Sequence, residues 1–209
     1  MALLLQPPKV VTLALTGASG APYALRFLQC LIQAGCEVNI LLSSAAQVVL
    51  ATETDWQLPT DKQAQKAYFC ERAGAQENQV RVYSKQQWMA PVASGSGAGD
   101  VMVICPCSMG SLSAIANGAS DNLIERAADV HLKERRPLIL VPREAPYNEL
   151  HLEHMLKLTR MGALVMPASP GFYHHPQSVD DMVDFIVARM LDQLCLPQNM
   201  VPRWGADGA

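Results

Sequence analysis

Six short apolar runs, all but the third followed by small or turn-forming residues and then by a helix-like pattern, constrain the fold of this chain more than any other feature. The runs cover 10–15, 37–42, 80–83, 101–105, 138–141 and 163–166. The helical patterns cover 22–34, 43 or 44 to 53, 61–73, 108–117, 122–135, 148–161 and 178–196. Most of these runs are nearly continuously apolar, as expected for strands buried on both faces. Alternating β and α elements of this kind predict an α/β fold, a parallel sheet with helices on both faces. No internal repeat or composition break appears, so one domain is expected over 1–209, with an irregular tail from about 197 to 209. The stretch 90–99, "APVASGSGAG", reads as a flexible loop.

Composition removes several classes of function. A formal net charge of −3 argues against nucleic acid as a partner. No apolar run reaches membrane-spanning length, and Leu3-Leu4-Leu5 is too short for a signal sequence, so a cytoplasmic protein away from membranes is expected. The six cysteines lie mostly in apolar runs and form no CxxC pair, which predicts buried thiols and no zinc site. Only 17 % of the residues are charged, against about 25 % in an average domain. A chain so poor in charge is expected to hide surface in contacts between copies of itself.

In open parallel sheets, ligands sit beyond the C-terminal ends of the strands. Chemistry is therefore expected in 16–21, Ser43-Ser44, 106–111, 142–146 and 167–177. The first of these, "TGASGAP", places bare backbone before a helix that opens with Pro22. Helix N-termini attract anions, and glycine lets a ligand approach closely. The same segment also suits an ordinary tight strand–helix turn. "CPCSMGSLSA" is a second turn of this kind, with Ser108 and Ser111 at a helix start. "PREAP" sets Arg143 beside Glu144, and "PASPGFYHHPQS" is aromatic and rich in proline. Arg126 and Lys133 stand seven apart, two turns along one helix face. Arg189 borders an apolar stripe, either as a snorkelling side chain or as a ligand for an anion. His151 and His154 lack a third ligand and read as solvated, as do Asp180, Asp181 and Asp184 at a helix start.

Together, "TGASGAPYALRFL", "CPCSMGSLSAIANG", "NLIERAADVHLKERRPLILVPREAP", "HLEHMLKLTRMGALVMPASPGFYHHPQS" and the closing "PRW" closely resemble the flavin prenyltransferases. This family was formerly described as 3-octaprenyl-4-hydroxybenzoate carboxy-lyases of ubiquinone biosynthesis. The resemblance runs from Val11 to Trp204 and matches no motif between about Asp55 and Gln87. It implies a Rossmann-like (flavodoxin-like) domain in a homo-oligomer, typically a dodecamer, with FMN at subunit contacts. It also implies metal-independent transfer of a dimethylallyl unit from dimethylallyl phosphate to N5 and C6 of reduced FMN. The prenylated flavin then serves a separate decarboxylase.

Residue by residue, the resemblance implies FMN contacts at Gly17, Ala18, Ser19, Ser43, Ser108, Met109, Gly110, Ser111 and Arg143. It implies a prenyl-phosphate site of Tyr173, Arg189, Arg126 and Lys133, beside Arg143, Glu144 and the tail aromatic Trp204. Ser19, Glu53, Glu144 and Arg126 are the catalytic candidates, with Trp88 or Trp204 walling off water. The flavin-dependent cysteine decarboxylases share the fold but carry an early histidine, and this chain has none before His131. A non-catalytic flavin carrier would have no use for the second cluster of cationic residues.

Overall fold

The computed structural model describes residues 4–201 of the chain. Six parallel strands form one sheet: β1 (Val10–Leu15), β2 (Glu37–Leu42), β3 (Val80–Tyr83), β4 (Val101–Cys107), β5 (Leu138–Pro142) and β6 (Leu164–Val165). Among the described residues seven α-helices flank them: α1 (Ala21–Gln33), α2 (Ser44–Glu53), α3 (Lys62–Ala73), α4 (Met109–Ala116), α5 (Leu123–Lys133), α6 (Glu149–Arg160) and α7 (Val179–Gln193). The strand order is β3-β2-β1-β4-β5-β6. The chain thus builds outward from β1 in one direction, returns to pair β4 beside β1, and builds outward in the other. The gap beyond β1 and β4 is the switch point at which such sheets bind ligands.

Each strand sends alternate side chains to opposite faces. Val11, Leu13 and Leu15 pack with Phe27 and Leu31 of α1, Leu50 of α2, Phe69 of α3 and Ile186 and Met190 of α7. Ala14, Met102 and Ile104 pack on the other side with Leu112 of α4, Leu123 and Ala127 of α5, and Leu158 of α6. Each large side chain so buried stabilises the fold by about 1.5–3 kcal/mol. Helices α5 and α7 therefore lie on opposite faces of the sheet, a placement that decides how the site is assembled.

The structure amends the sequence reading in several places. β4 runs two residues past the predicted 101–105, through Pro106 to Cys107. The 90–99 stretch is ordered: Pro91–Ala93 forms a 3₁₀ turn, and the Arg136 guanidinium donates to the carbonyls of Gly95, Ala98 and Gly99. One planar, five-donor cation thereby satisfies a backbone run with no regular partner. Asp184 is not solvated but pairs with Arg26 of α1 at 2.7 Å. The motif-free segment after Asp55 is structural: Trp56 packs edge-on against Tyr68, with the Arg72 guanidinium 5.1 Å from its ring. All six cysteines are free, and burial pushes the Cys107 thiol up to about 12, so it stays unreactive.

Candidate active site

The first loop is held in place by packing as well as by hydrogen bonds. A β-carbon on Gly17 would lie 2.5 Å from the Cβ of Ala45 in the first turn of α2. Gly17 is thus required where β1's loop presses on α2, quite apart from any ligand. Neither β-carbon can rotate away, so Gly17→Ala is expected to cost about 1–3 kcal/mol. The paired Gly17→Ala/Ala45→Gly variant should recover most of that loss in a thermal melt. Gly20 has φ +126°, a conformation that L side chains rarely adopt.

Gly20 also leaves α1 with no side-chain cap of its own. Glu53, the last residue of α2, supplies one across space. Its carboxylate accepts from the N–H of Gly20 at 2.8 Å and of Ala21 at 2.9 Å. The N-terminus of α1, read from sequence as a place for phosphate, is already filled by an anion of the chain itself. Burial alone would raise the pKa of Glu53. Hydrogen bonds from the Ser19 hydroxyl, Gly20 and Ala21, with the nearby charge of Arg143, outweigh it and hold the carboxyl below its ordinary value. Arg143 reaches back from the end of β5, its Nε donating to the Ser19 carbonyl at 3.2 Å. Loops far apart in sequence thereby place Ser19, Glu53 and Arg143 in one cluster. Glu144, the next residue, accepts from the N–H of Ala145 at 3.1 Å within its own loop.

The second loop lies beside the first. Ser108 caps α4, accepting from the N–H of Ser111 at 3.3 Å, and the two hydroxyls lie 3.1 Å apart. A β-carbon on Gly110 would meet nothing within 4 Å. The space beside Gly110, in the first turn of α4, is therefore open. Ser43, not Ser44, caps α2, accepting from Ala46 at 3.0 Å. Thr16, which the sequence reading passed over, ties the two main loops together. Its hydroxyl donates to the Pro106 carbonyl at 2.8 Å and accepts from the Ser108 N–H at 2.7 Å. The signal for it was a polar residue ending an otherwise apolar run. Glu53, a catalytic candidate on resemblance, takes a capping role that only the fold shows.

The expected cluster of Arg126, Lys133, Tyr173 and Arg189 does not come together within one chain. Helix α5 begins beside Lys85, just past β3, where the Leu123 N–H donates to the Lys85 carbonyl. The residues after α5 reach Ala98 and Gly99, just before β4. Arg126 thus stands near the C-terminal edge of the sheet, bonded to the Ala93 carbonyl at 3.0 Å and to Asp129 at 2.8 Å. Lys133, paired with Glu134, stands near the opposite edge. The length of β5, about 16 Å, separates it from Arg143. Arg189 is on the other face of the sheet, on α7, paired with Asp192 at 2.8 Å. It lies about 7.5 Å along the helix past the Arg26–Asp184 pair, away from the first loop. Tyr173 is exposed in the loop after β6, and Trp204 lies outside the described residues.

The first histidine of the chain carries no such chemistry. His131 is buried and bonds through Nδ1 to the Pro137 carbonyl at 3.1 Å. Burial brings its pKa down to about 4, so the first histidine of the chain is a neutral core residue. Among the described residues no group of three or more His, Cys, Asp or Glu side chains could hold a metal. No described helix is long and apolar enough to cross a membrane.

The open space beside Gly110, the hydroxyls of Ser108 and Ser111 at the start of α4, and Arg143 fit a ligand with a flat polar ring system and a phosphate, such as FMN. Comparison with known proteins agrees. Residues 5–191 match the family model described as Flavoprotein. The flavin prenyltransferase UbiX of Pseudomonas aeruginosa is 62 % identical over 198 residues, covering 95 % of each chain. The crystal structure of AnUbiX (PadA1) in complex with FMN and dimethylallyl pyrophosphate is 38 % identical, with a TM-score of 0.83 over 94 % of this chain and 97 % of that one. A dodecameric FMN-dependent UbiX-like decarboxylase from Escherichia coli O157:H7 is also 38 % identical, with a TM-score of 0.83 over 93 % and 98 %. On likeness that runs the length of the molecule, in sequence and in fold, the chain belongs to the flavin prenyltransferase family.

Proposed function

We propose that this protein transfers a dimethylallyl unit from dimethylallyl phosphate to N5 and C6 of reduced FMN. The prenylated flavin is then handed to a separate decarboxylase, the chain acting as a single cytoplasmic flavoprotein domain. The observation that carries this reading is the meeting of Ser19, Glu53 and Arg143 beside the open first turn of α4, at the switch point of the sheet. When bound, reduced FMN supplies the nucleophilic atoms. Gly17, Ala18, Ser19, Ser43, Ser108, Met109, Gly110, Ser111 and Arg143 hold it. Glu53, ionised and fixed on α1, orients the Ser19 hydroxyl beside the acceptor.

Departure of phosphate is the demanding step, because a dimethylallyl cation forms as the dianion leaves. Arg126, Lys133 and Arg189 stabilise that dianion electrostatically, and the Tyr173 hydroxyl orients it. Glu144 either gives the leaving phosphate a proton or takes one up on ring closure. Trp88 or Trp204 shields the allyl cation from water with an aromatic face. Since Arg126 and Arg189 lie on opposite faces of one sheet, neighbouring copies complete each site, and the working form is a homo-oligomer, of dodecameric size in the E. coli relative. Apolar side chains on the single chain's surface support this, with Leu152 54 %, Phe172 69 % and Val179 77 % exposed.

The test is anaerobic incubation of the protein with reduced FMN and dimethylallyl phosphate, or the pyrophosphate in a parallel arm, followed by mass analysis of the extracted flavin. The expected result is a flavin heavier by one five-carbon unit. Unmodified FMN after many equivalents of either donor would overturn the proposal.

A further inference from the structure

Nothing in the family resemblance gives Thr16 a role, yet its side chain joins the two loops on which the flavin reading stands. The regular ladder between β1 and β4 ends at the Ala14–Ile104 pair. Beyond that pair, among the described residues, Thr16 takes over the connection. Its N–H donates to the Pro106 carbonyl at 3.2 Å, and its hydroxyl donates to the same carbonyl at 2.8 Å. The same hydroxyl accepts from the Ser108 N–H at 2.7 Å. Thr16 is 1 % exposed, so these bonds are its hydroxyl's alternative to water. On one side Thr16 leads directly into Gly17, Ala18 and Ser19. On the other, Ser108 sets the hydroxyl pair with Ser111 at the start of α4.

We propose that Thr16 is a positioning residue for the flavin: its hydroxyl fixes the β1 loop and the α4 N-terminus in one register, so that both meet the same ligand. The inference rests on the reading that FMN lies across these two loops. A valine there matches threonine in shape but takes away the acceptor of the half-buried Ser108 N–H. That N–H regains a partner as the β4 loop shifts, and a shift of about 1 Å is enough to misalign a preorganised site. Serine keeps the hydroxyl and should keep the register.

The strand that leads into Thr16 contains an internal control. Thr12 is fully buried, and its hydroxyl has no hydrogen-bond partner among the described residues. Thr12→Val therefore makes the same chemical change four residues earlier, inside β1, without touching either loop.

The experiment compares wild type, Thr16→Val, Thr16→Ser and Thr12→Val, well below their melting temperatures. FMN fluorescence titration gives affinity, and visible circular dichroism of the bound flavin reports its environment. Thr16→Val is expected to weaken FMN binding about tenfold or more and to change the flavin dichroism. Thr16→Ser should stay within about threefold of wild type, and Thr12→Val should be indistinguishable from it. If Thr16→Val does not fold, Thr16→Ala is read in its place. Equal FMN affinity and dichroism in the Thr16 and Thr12 variants would overturn the inference while leaving the flavin reading intact. Failure of the wild-type protein to bind FMN would sink that reading and this inference with it.

Discussion

Glu53→Ala is expected to lower prenyl transfer by about a hundredfold or more and to loosen α1, because one carboxylate serves both purposes. Its removal leaves the N–H groups of Gly20 and Ala21 unpaired at the positive end of a 13-residue helix. Loss of a helix cap costs about 1–2 kcal/mol, a drop of a few degrees in melting temperature for a chain of this size. It also deprives Ser19 of its hydrogen-bond partner and Arg143 of a nearby counter-charge. Glu53→Gln separates the two roles. The amide oxygen still accepts from the helix, so the melting temperature should stay close to wild type at neutral pH, while the lost charge lowers the rate.

The pH dependence has a definite sign. The folded pKa of Glu53 lies below its ordinary value of 4.5. Its stabilising contribution is therefore fully present above that value and is lost as pH falls through the folded pKa. The stability gap between wild type and Glu53→Ala should narrow in acid, and Glu53 should contribute no limb to the pH–rate profile between about pH 6 and 8. Melting curves over that range and into acid, beside initial rates, test both statements. A Glu53→Ala protein that melts like wild type would show that the cap is dispensable.

The fold was legible because its signals are local. Unbroken apolar runs such as 101–105 mark doubly covered strands, and caps such as Asp61 and Asn148 mark helix starts. The cap on α1 was not legible, since it comes from Glu53, 32 residues beyond the Ala21 N–H it accepts from. The ordering of 90–99 escaped for the same reason: its glycines and serines specify no conformation, and the order comes from Arg136, 37 residues beyond Gly99. Family resemblance named Arg126, Lys133 and Arg189 as a group, but resemblance has no spatial content. Only the partition of α5 and α7 between the two sheet faces shows that a single chain cannot gather them.

That partition leads to the second large effect. Arg126→Ala and Arg189→Ala should each retain FMN binding and each lose prenyl transfer. Deleting one charge-assisted contact to a phosphate dianion costs about 1.5–3 kcal/mol, or about ten- to a hundredfold, with more lost from turnover if the charge also assists departure. Arg189→Lys should recover part of the activity, because a point charge remains without the planar fork. The decisive measurement is made on mixed oligomers, co-expressed from the two alanine variants in equal amounts. If each site draws Arg126 from one copy and Arg189 from another, independent assortment leaves about one site in four with both arginines intact. The mixture should then show about a quarter of wild-type activity, well above either variant alone. If one chain supplied both residues, every site would lack one arginine, and the mixture would be no better than its components. Unchanged kinetics in Arg189→Ala alone would reduce Arg189 to an exposed side chain paired with Asp192. Restored activity in the mixture would establish that the phosphate is held between subunits, and that the chain is short of surface charge because its working surface is shared.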